Sequence, residues 1–327
     1  MAFQQSPQIC PVCNEGNNFK FIQDHQNKDG KFSLYECNFC HVQFWQPFKS
    51  ANSQWYDRRL HSQHFYLSED TKEGKSVKPW HKEFFKWYKN FPNNIRILDL
   101  GCGGGGEFLN EFSKRGYKIQ GMGVDYSHEE NKRAFKNILI NVSSFDEFFK
   151  ENKNNIFPFD FIVFFEVLEH LDNPLKFIKN VKEMLKPEGK IVLSVPSRER
   201  MFANMNNWDF PPNHLTRWNK ESISNLFKKI NFKISKVKYV GSFTFFLQLI
   251  NAKSSLNLVR KTKNSILKGK PNSLILYFIY KTIRYLAIFK SIFFSSFFAG
   301  LLWIIGKITR QRNGSILVEL VPINQNN

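Results

Sequence analysis

Acid is missing from nearly a third of this chain. Between Ser222 and Val318 there is no Asp or Glu, against 17 Lys and Arg, so this tract carries most of the net charge of +19. Such an imbalance calls for a polyanion nearby, either nucleic acid or an anionic membrane surface. Long apolar runs are also missing. Asn272 to Ile308 is almost wholly apolar and aromatic, yet its longest uncharged stretch, Ser291 to Gly306, is 16 residues. A bilayer-spanning helix needs about 20, so the tract reads as a helical hairpin lying in the interface. Arg260, Lys261, Lys263, Lys268 and Lys270 flank it there. The other reading is a buried helix pair that caps a site or forms a dimer. Met1-Ala-Phe-Gln-Gln-Ser has no secretory character, which predicts a cytoplasmic protein, peripheral at the inner membrane face if the hairpin docks there.

Cysteine is scarce too, at five, while phenylalanine is abundant at 36. Four of the cysteines form Cys10-x-x-Cys13 and Cys37-x-x-Cys40 with a spacer of 23 residues. Two knuckles at this spacing supply four thiolates in tetrahedral geometry, a zinc ribbon; with no open ligand position, the Zn2+ is structural. In a reducing compartment two disulfides are the weaker alternative, and His41 beside the last knuckle is a bystander rather than a ligand. Cys102 reads as a small packing residue.

Ile95-Arg-Ile-Leu-Asp-Leu-Gly-Cys-Gly-Gly-Gly-Gly-Glu-Phe-Leu109 reads as a strand entering a glycine turn and then a helix. Glycines let the backbone approach a ligand and aim free N–H groups at it. A second strand, Lys118 to Val124, ends in Asp125, placed to accept ribose hydroxyls. Gly101-x-Gly103-x-x-Gly106 alone also fits a dinucleotide site.

The surrounding residues decide between them. Asp99-x-Gly101-x-Gly103-x-Gly105 resembles motif I of the class I S-adenosylmethionine-dependent methyltransferases, and Val124-Asp-Tyr-Ser127 their ribose-binding loop. Phe159 to Pro174, with Glu166-Val-Leu-Glu-His170 inside it, is similar to their fourth strand and following turn. Lys186-Pro-Glu-Gly-Lys-Ile-Val-Leu-Ser-Val-Pro196 resembles the passage into their fifth. The resemblance runs from about Ile95 to Val240. It implies an α/β, Rossmann-like seven-stranded sheet whose last strand, Gly314 to Val321, inserts antiparallel between the fifth and sixth. To this the sequence adds the N-terminal ribbon and a helical hydrophobic insertion.

The boundaries expected are 1–50 for the ribbon, 51–93 for an aromatic-rich helical segment and 94–240 for the cofactor-binding domain. The basic insertion is then 241–313, and the final strand and tail are 314–327. The resemblance implies S-adenosyl-L-methionine held by Asp99, Gly101, Gly103, Gly105, Asp125, Tyr126 and Glu166. Ser144 and Phe145 stand where the family often has an acid that reads the adenine. Two further departures, a longer glycine run and extra residues in Ile119-Gln-Gly-Met-Gly-Val124, suggest a bulge at a strand end.

Pro211-Pro-Asn-His-Leu-Thr-Arg-Trp218 is similar to a passage that covers the active site of methyltransferases modifying sugars, lipids and quinones. Catalysis in this fold is mostly positioning, with a base to remove a proton. The candidates are His214 and His170, with Glu169; Glu-x-x-Glu-His could also hold a divalent ion with the substrate. The expected function is methyl transfer to a small-molecule or lipid-linked acceptor, such as a sugar, an isoprenoid or a quinone-like compound. RNA methylation through the ribbon and basic tract is the first alternative, and a catalytically inactive binding protein the second. The sequence leaves the oligomeric state open.

Overall fold

The computed structural model describes residues 3–51, 77–103, 106–125, 138–152, 158–200, 209–241 and 314–323, together with Phe297, Gly300, Leu301 and Ile304. The chain divides into two compact units. The first comprises Met1–Arg198, Ala203–Val240 and Ser315–Asn327, and the second comprises Glu199–Phe202 and Gly241–Gly314. The four isolated described residues of the second unit are helical. The rest of the expected insertion, including 272–296 and the flanking basic residues, lies outside the described residues, as do most of 51–76. Among the described residues no helix is long and apolar enough to cross a membrane.

The chain opens with a small meander of β1 (Phe19–Asn27), β2 (Gly30–Cys37) and β3 (Gln43–Gln46), paired antiparallel throughout. The β1–β2 turn is closed by the Asn27 side chain, whose oxygen accepts from Asp29 N at 2.8 Å. Helix α1 (Pro79–Trp87) then leads into an α/β unit of β4 (Ile95–Leu100), α2 (Glu107–Lys114), β5 (Ile119–Asp125), β6 (Ile138–Val142) and α3 (Phe145–Asn152). It continues with β7 (Phe159–Phe165), a 3-10 turn (Leu168–His170), α4 (Pro174–Glu183) and β8 (Leu185–Pro196). A short β9 (Thr216–Arg217), α5 (Lys220–Lys228), β10 (Phe232–Val240) and β11 (Ser315–Pro322) complete it.

The main sheet runs β10-β11-β8-β7-β4-β5-β6. Strands β6, β5, β4, β7 and β8 pair in parallel, while β11 is antiparallel to both β8 and β10. This is the expected sheet, with its late strand inserted between the fifth and sixth. Central strands covered by helices on both faces read as near-continuous apolar runs, and Ile162, Val163, Phe164, Ile191, Val192 and Leu193 are all fully buried.

The abundant phenylalanine fills one layer of this core. Phe84 and Phe85 of α1 meet Phe108 and Phe112 of α2 at centroid distances of 4.8–6.0 Å, mostly edge to face. The aromatic helix before the first sheet strand is therefore core. Helix α5 starts as its sequence implies: Asn219 accepts from Ser222 N at 2.9 Å, and Ser222 Oγ accepts in return from Asn219 N at 2.9 Å.

Two details differ from the sequence reading. Lys186-Pro-Glu-Gly is part of β8 itself, as an irregularity opposite Phe159–Phe161. The bulge expected in β5 is absent: Ile95 to Leu100 pair without a shift against Ile119 to Val124. Gly121 and Gly123 serve packing instead. A Cβ on Gly123 would stand 2.7 Å from Cys102 Sγ and 2.8 Å from Ile140 Cδ1, so the strand is thinned where the glycine turn lies down on it. Gly123→Ala should therefore destabilise the fold by about 1–3 kcal/mol, read as a lower urea midpoint; an unchanged midpoint contradicts this packing.

Candidate functional site

The first half of the site forms where β4 ends. The Gly101 and Gly103 backbones have φ of +78° and +67°, a region that strongly favours glycine. At Gly101 a Cβ would fall 2.5 Å from Val167 Cγ2, so only glycine fits; at Gly103 no atom stands within 4 Å of that point. Gly106, at φ +55°, starts α2. The Asp125 carboxylate, at the end of the neighbouring strand β5, accepts from Gly103 N at 2.9 Å. Asp99 is buried inside β4, and burial followed by the charge of Asp125 raises its pKa to about 8. A buried acid and a half-buried acid thus flank one glycine turn. Cys102 packs inward against Gly123, and its thiol is pushed up by burial.

Of the other residues expected at the cofactor, Gly105 and Tyr126 lie outside the described residues. Ser144 caps α3: its N–H and hydroxyl both donate to Glu147 Oε2, at 2.9 and 2.7 Å. Phe145 packs against Phe177 at 4.5 Å. Glu166 sits at φ +56°, a conformation non-glycine residues rarely hold without cause. Its N–H donates to Ser194 O at 2.9 Å, and its carboxylate accepts from Ser194 Oγ at 2.8 Å.

The second half is the turn that follows β7. Val167, which seals against Gly101, begins the 3-10 turn carrying Glu169 and His170. Leu215 N donates to Glu169 O at 2.8 Å, which brings His214 alongside. The rings of His170 and His214 meet edge to face at 4.7 Å. Both Nε2 atoms face Glu169 Oε1, at 3.8 and 3.9 Å. Asn213 O accepts from His170 Nδ1 at 2.6 Å, and Asp209 Oδ1 lies 3.3 Å from His214 Nδ1. Burial first, and His214 second, lower the His170 pKa to about 3, so its ring is neutral. The three groups expected at the catalytic end therefore converge. Asp209 was missed; its only sequence signal is its place five residues before His214.

The cysteine module is built into this second half. Cys10 and Cys40 sulfurs lie 3.9 Å apart, and Cys13 and Cys37 sulfurs 3.8 Å apart, all four within 4.8 Å of one another. Four thiolates about 2.3 Å from a central zinc stand roughly 3.8 Å apart, so the set fits Zn2+, and no disulfide is formed. His41 faces Glu36 and Glu221 instead. The ribbon is not a free finger. Its sheet continues into β9, with Gln43 opposite Arg217 and Phe44 opposite Thr216, and Trp45 N donates to Leu215 O at 2.9 Å. Asn27 Nδ2 donates to Pro211 O at 2.8 Å, and His25 stacks on Phe210 at 3.9 Å. The segment that carries Asp209 and His214 is thus held on the ribbon.

A methyltransferase-domain family model matches residues 48–237, more than half of the chain. The chain belongs to that family. With the strand order above, it is a class I S-adenosylmethionine-dependent methyltransferase. This methyltransferase is similar to the ubiquinone biosynthesis O-methyltransferase of Rickettsia canadensis (strain McKiel), with 28% identity over 107 residues covering 32% of this chain and 44% of the relative. It is also similar to the protein of that name from Actinobacillus pleuropneumoniae serotype 5b (strain L20), with 34% identity over 112 residues, 32% of this chain and 46% of the relative. The chain thus spans about half the length of these curated relatives. Among solved structures it is similar to Haemonchus contortus phosphoethanolamine N-methyltransferase 2 in complex with S-adenosyl-L-methionine, at 14% identity and TM-score 0.48, covering 84% of this chain and 59% of that one. An S-adenosylmethionine-dependent methyltransferase from Archaeoglobus fulgidus aligns at 16% identity and TM-score 0.47, covering 79% and 99%.

The sulfur geometry predicts about one tightly held zinc per chain at the four thiolates. Elemental analysis of Cys13→Ser should show that zinc lost, with amide exchange accelerated across 209–217. Zinc retained in full by Cys13→Ser contradicts the assignment.

Proposed function

We propose that this methyltransferase O-methylates a small or lipid-linked acceptor with a phenol- or catechol-like hydroxyl, as in a quinone precursor. The observation that carries this is the convergence of Glu169 and His170, on the turn that packs through Val167 against Gly101, with His214 from the segment before β9. Donor and acceptor ends are then neighbours on one wall. The printed names of the curated relatives support the acceptor class.

S-adenosylmethionine, when bound, supplies a methyl group on a sulfonium that departs as a thioether. Asp125 accepts from the ribose hydroxyls, exchanging its present bond to Gly103 N for them in part. The turn at Gly101 and Gly103 takes the methionine portion, and Asp99 receives its ammonium. The same reading gives Glu166, beside its bond to Ser194, to the cofactor's amino-acid end, and Gly105, Tyr126, Ser144 and Phe145 to its sugar and adenine side. His170, His214 and Glu169 hold the acceptor hydroxyl and draw off its proton, Asp209 and Asn213 O fixing the ring orientations. The four thiolates keep a structural Zn2+. The basic tract 253–312 brings the enzyme to an anionic membrane where a lipid-linked acceptor resides.

Asp99 gives this reading a pH signature. Its folded pKa of about 8 stands above its ordinary value of 3.8, so the folded apoprotein binds the extra proton and loses stability as pH rises from about 4 to 8. The cofactor ammonium needs the carboxylate, so S-adenosylhomocysteine should bind more tightly as pH rises from 6 to 8, by at most about tenfold per unit. In Asp99→Asn the dependence should flatten and binding weaken by about tenfold or more, while the apoprotein melts higher at pH 8. Calorimetry at three pH values reads this, and a flat wild-type profile contradicts it. The acceptor is tested with radiolabelled S-adenosylmethionine offered a prenylated catechol, a glycolipid and bulk RNA. Label in the catechol is expected; label in RNA alone, or in none with the product analogue bound, overturns the proposal.

A further inference from the structure

Helix α1 runs antiparallel to β7 and so begins at the carboxyl edge of the sheet. At its far end Tyr88 meets Phe161, with ring centroids 4.9 Å apart; at its start His81 meets Phe165 at 5.1 Å. His81 also lies 5.1 Å from Phe108, in the first turn of α2 just past the glycine turn. The side chain is 7% exposed. Among the described residues its neighbours are the rings of Trp80, Phe108 and Phe165, and no hydrogen bond reaches either nitrogen. Buried polar side chains are nearly always hydrogen-bonded. The layer around this one is built of phenylalanine, and another would fill it without burying two nitrogens. A histidine here calls for a partner that arrives with a ligand.

Asp99 indicates which ligand. It stands opposite Val163 in the pairing of β4 with β7, two residues short of Phe165. Alternate residues of a strand share a face, so Asp99 lies on the same side as Ile97, Val163 and Phe165, the side that Phe84 and Phe85 of α1 cover. His81 and Asp99 thus occupy one face at one edge of the sheet. The amino-acid end of S-adenosylmethionine is a zwitterion, with an ammonium and a carboxylate on the same carbon. Once Asp99 has the ammonium, the carboxylate needs a donor close by. Burial first, and the charge of Lys78 second, lower the His81 pKa to about 3, so the neutral ring has one N–H to give. Lys78 itself, at the N-cap, and the free N–H groups of the helix start add a field that favours an anion.

We propose that His81 is a cofactor-binding residue, donating a hydrogen bond to the carboxylate of the methionine portion. The start of α1 and the end of β4 then hold the two charges of that portion between them. The inference rests on the cofactor placement given above and is independent of the acceptor. It also gives the site a means of selection: nucleoside thioethers that lack the amino-acid end gain nothing from His81.

Calorimetry on the full chain with two ligands tests this. One is S-adenosylhomocysteine; the other is 5′-methylthioadenosine, which keeps the nucleoside and the sulfur but carries a methyl group in place of the amino-acid chain. His81→Phe should bind the first about tenfold more weakly or worse, the loss of one hydrogen bond to a charged group, and bind the second as the wild type does. His81→Gln, which returns a donor, should recover part of the loss. His81→Phe should melt no lower than the wild type, because a ring still fills the layer. Equal weakening of both ligands in both variants, or no change with either ligand, overturns the assignment. If Asp99→Asn still weakens S-adenosylhomocysteine in that case, the cofactor placement stands and His81 alone is removed. A wild type that binds neither ligand removes the placement and the proposal together.

Discussion

The contact between the bare backbone of Gly101 and the methyl groups of Val167 is the constraint on which the site depends. β4 and β7 are neighbours in the sheet, so the turns leaving them share one space at their carboxyl ends. A side chain on Gly101 would overlap Val167 Cγ2. Its absence lets the turn that holds Glu169 and His170 settle against the turn that offers Gly103 and Asp125. An open α/β sheet binds its ligand where the strand order reverses, here on either side of β4. Gly123, under Cys102, extends the same logic one strand further, because the glycine turn can lie flat only on a strand with no side chain there.

The ribbon has a second structural role beside its thiolates. By pairing β3 with β9 and stacking His25 on Phe210, it fixes a segment that otherwise leaves the sheet unsupported between β8 and α5. Its cysteines belong to the same apolar core as Leu168 and Trp218. Of the two edges of the three-stranded meander, that of β3 is taken up by β9, and that of β1 ends the sheet.

Much of this was legible in the sequence where the signal is local. The strand, glycine turn and helix over 95–114 announce themselves because each residue acts on its near neighbours, as does Asn219 at the start of α5. The antiparallel β11 could be placed because its fold resemblance fixes the closing hairpin. What escaped is what depends on residues far apart in the chain. Gly121 and Gly123 looked like irregularity; Ile138, Ile140 and Cys102 explain them only once β5 and β6 are side by side. The pairing of the ribbon with β9, the contact between Asp209 and His214, and the left-handed backbone of Glu166 have no signature in local composition. Ser144, weighed for the adenine, has a local role as well, at the start of its own helix.

The most direct measurement is a crystal structure of the full chain with S-adenosylhomocysteine. The account predicts the ribose hydroxyls on Asp125, the homocysteine tail over Gly101 and Gly103 with its ammonium near Asp99, and the sulfur turned toward the edge shared by His170 and His214. A cleft filled by the protein's own side chains, or a nicotinamide dinucleotide seated there in its place, would contradict it.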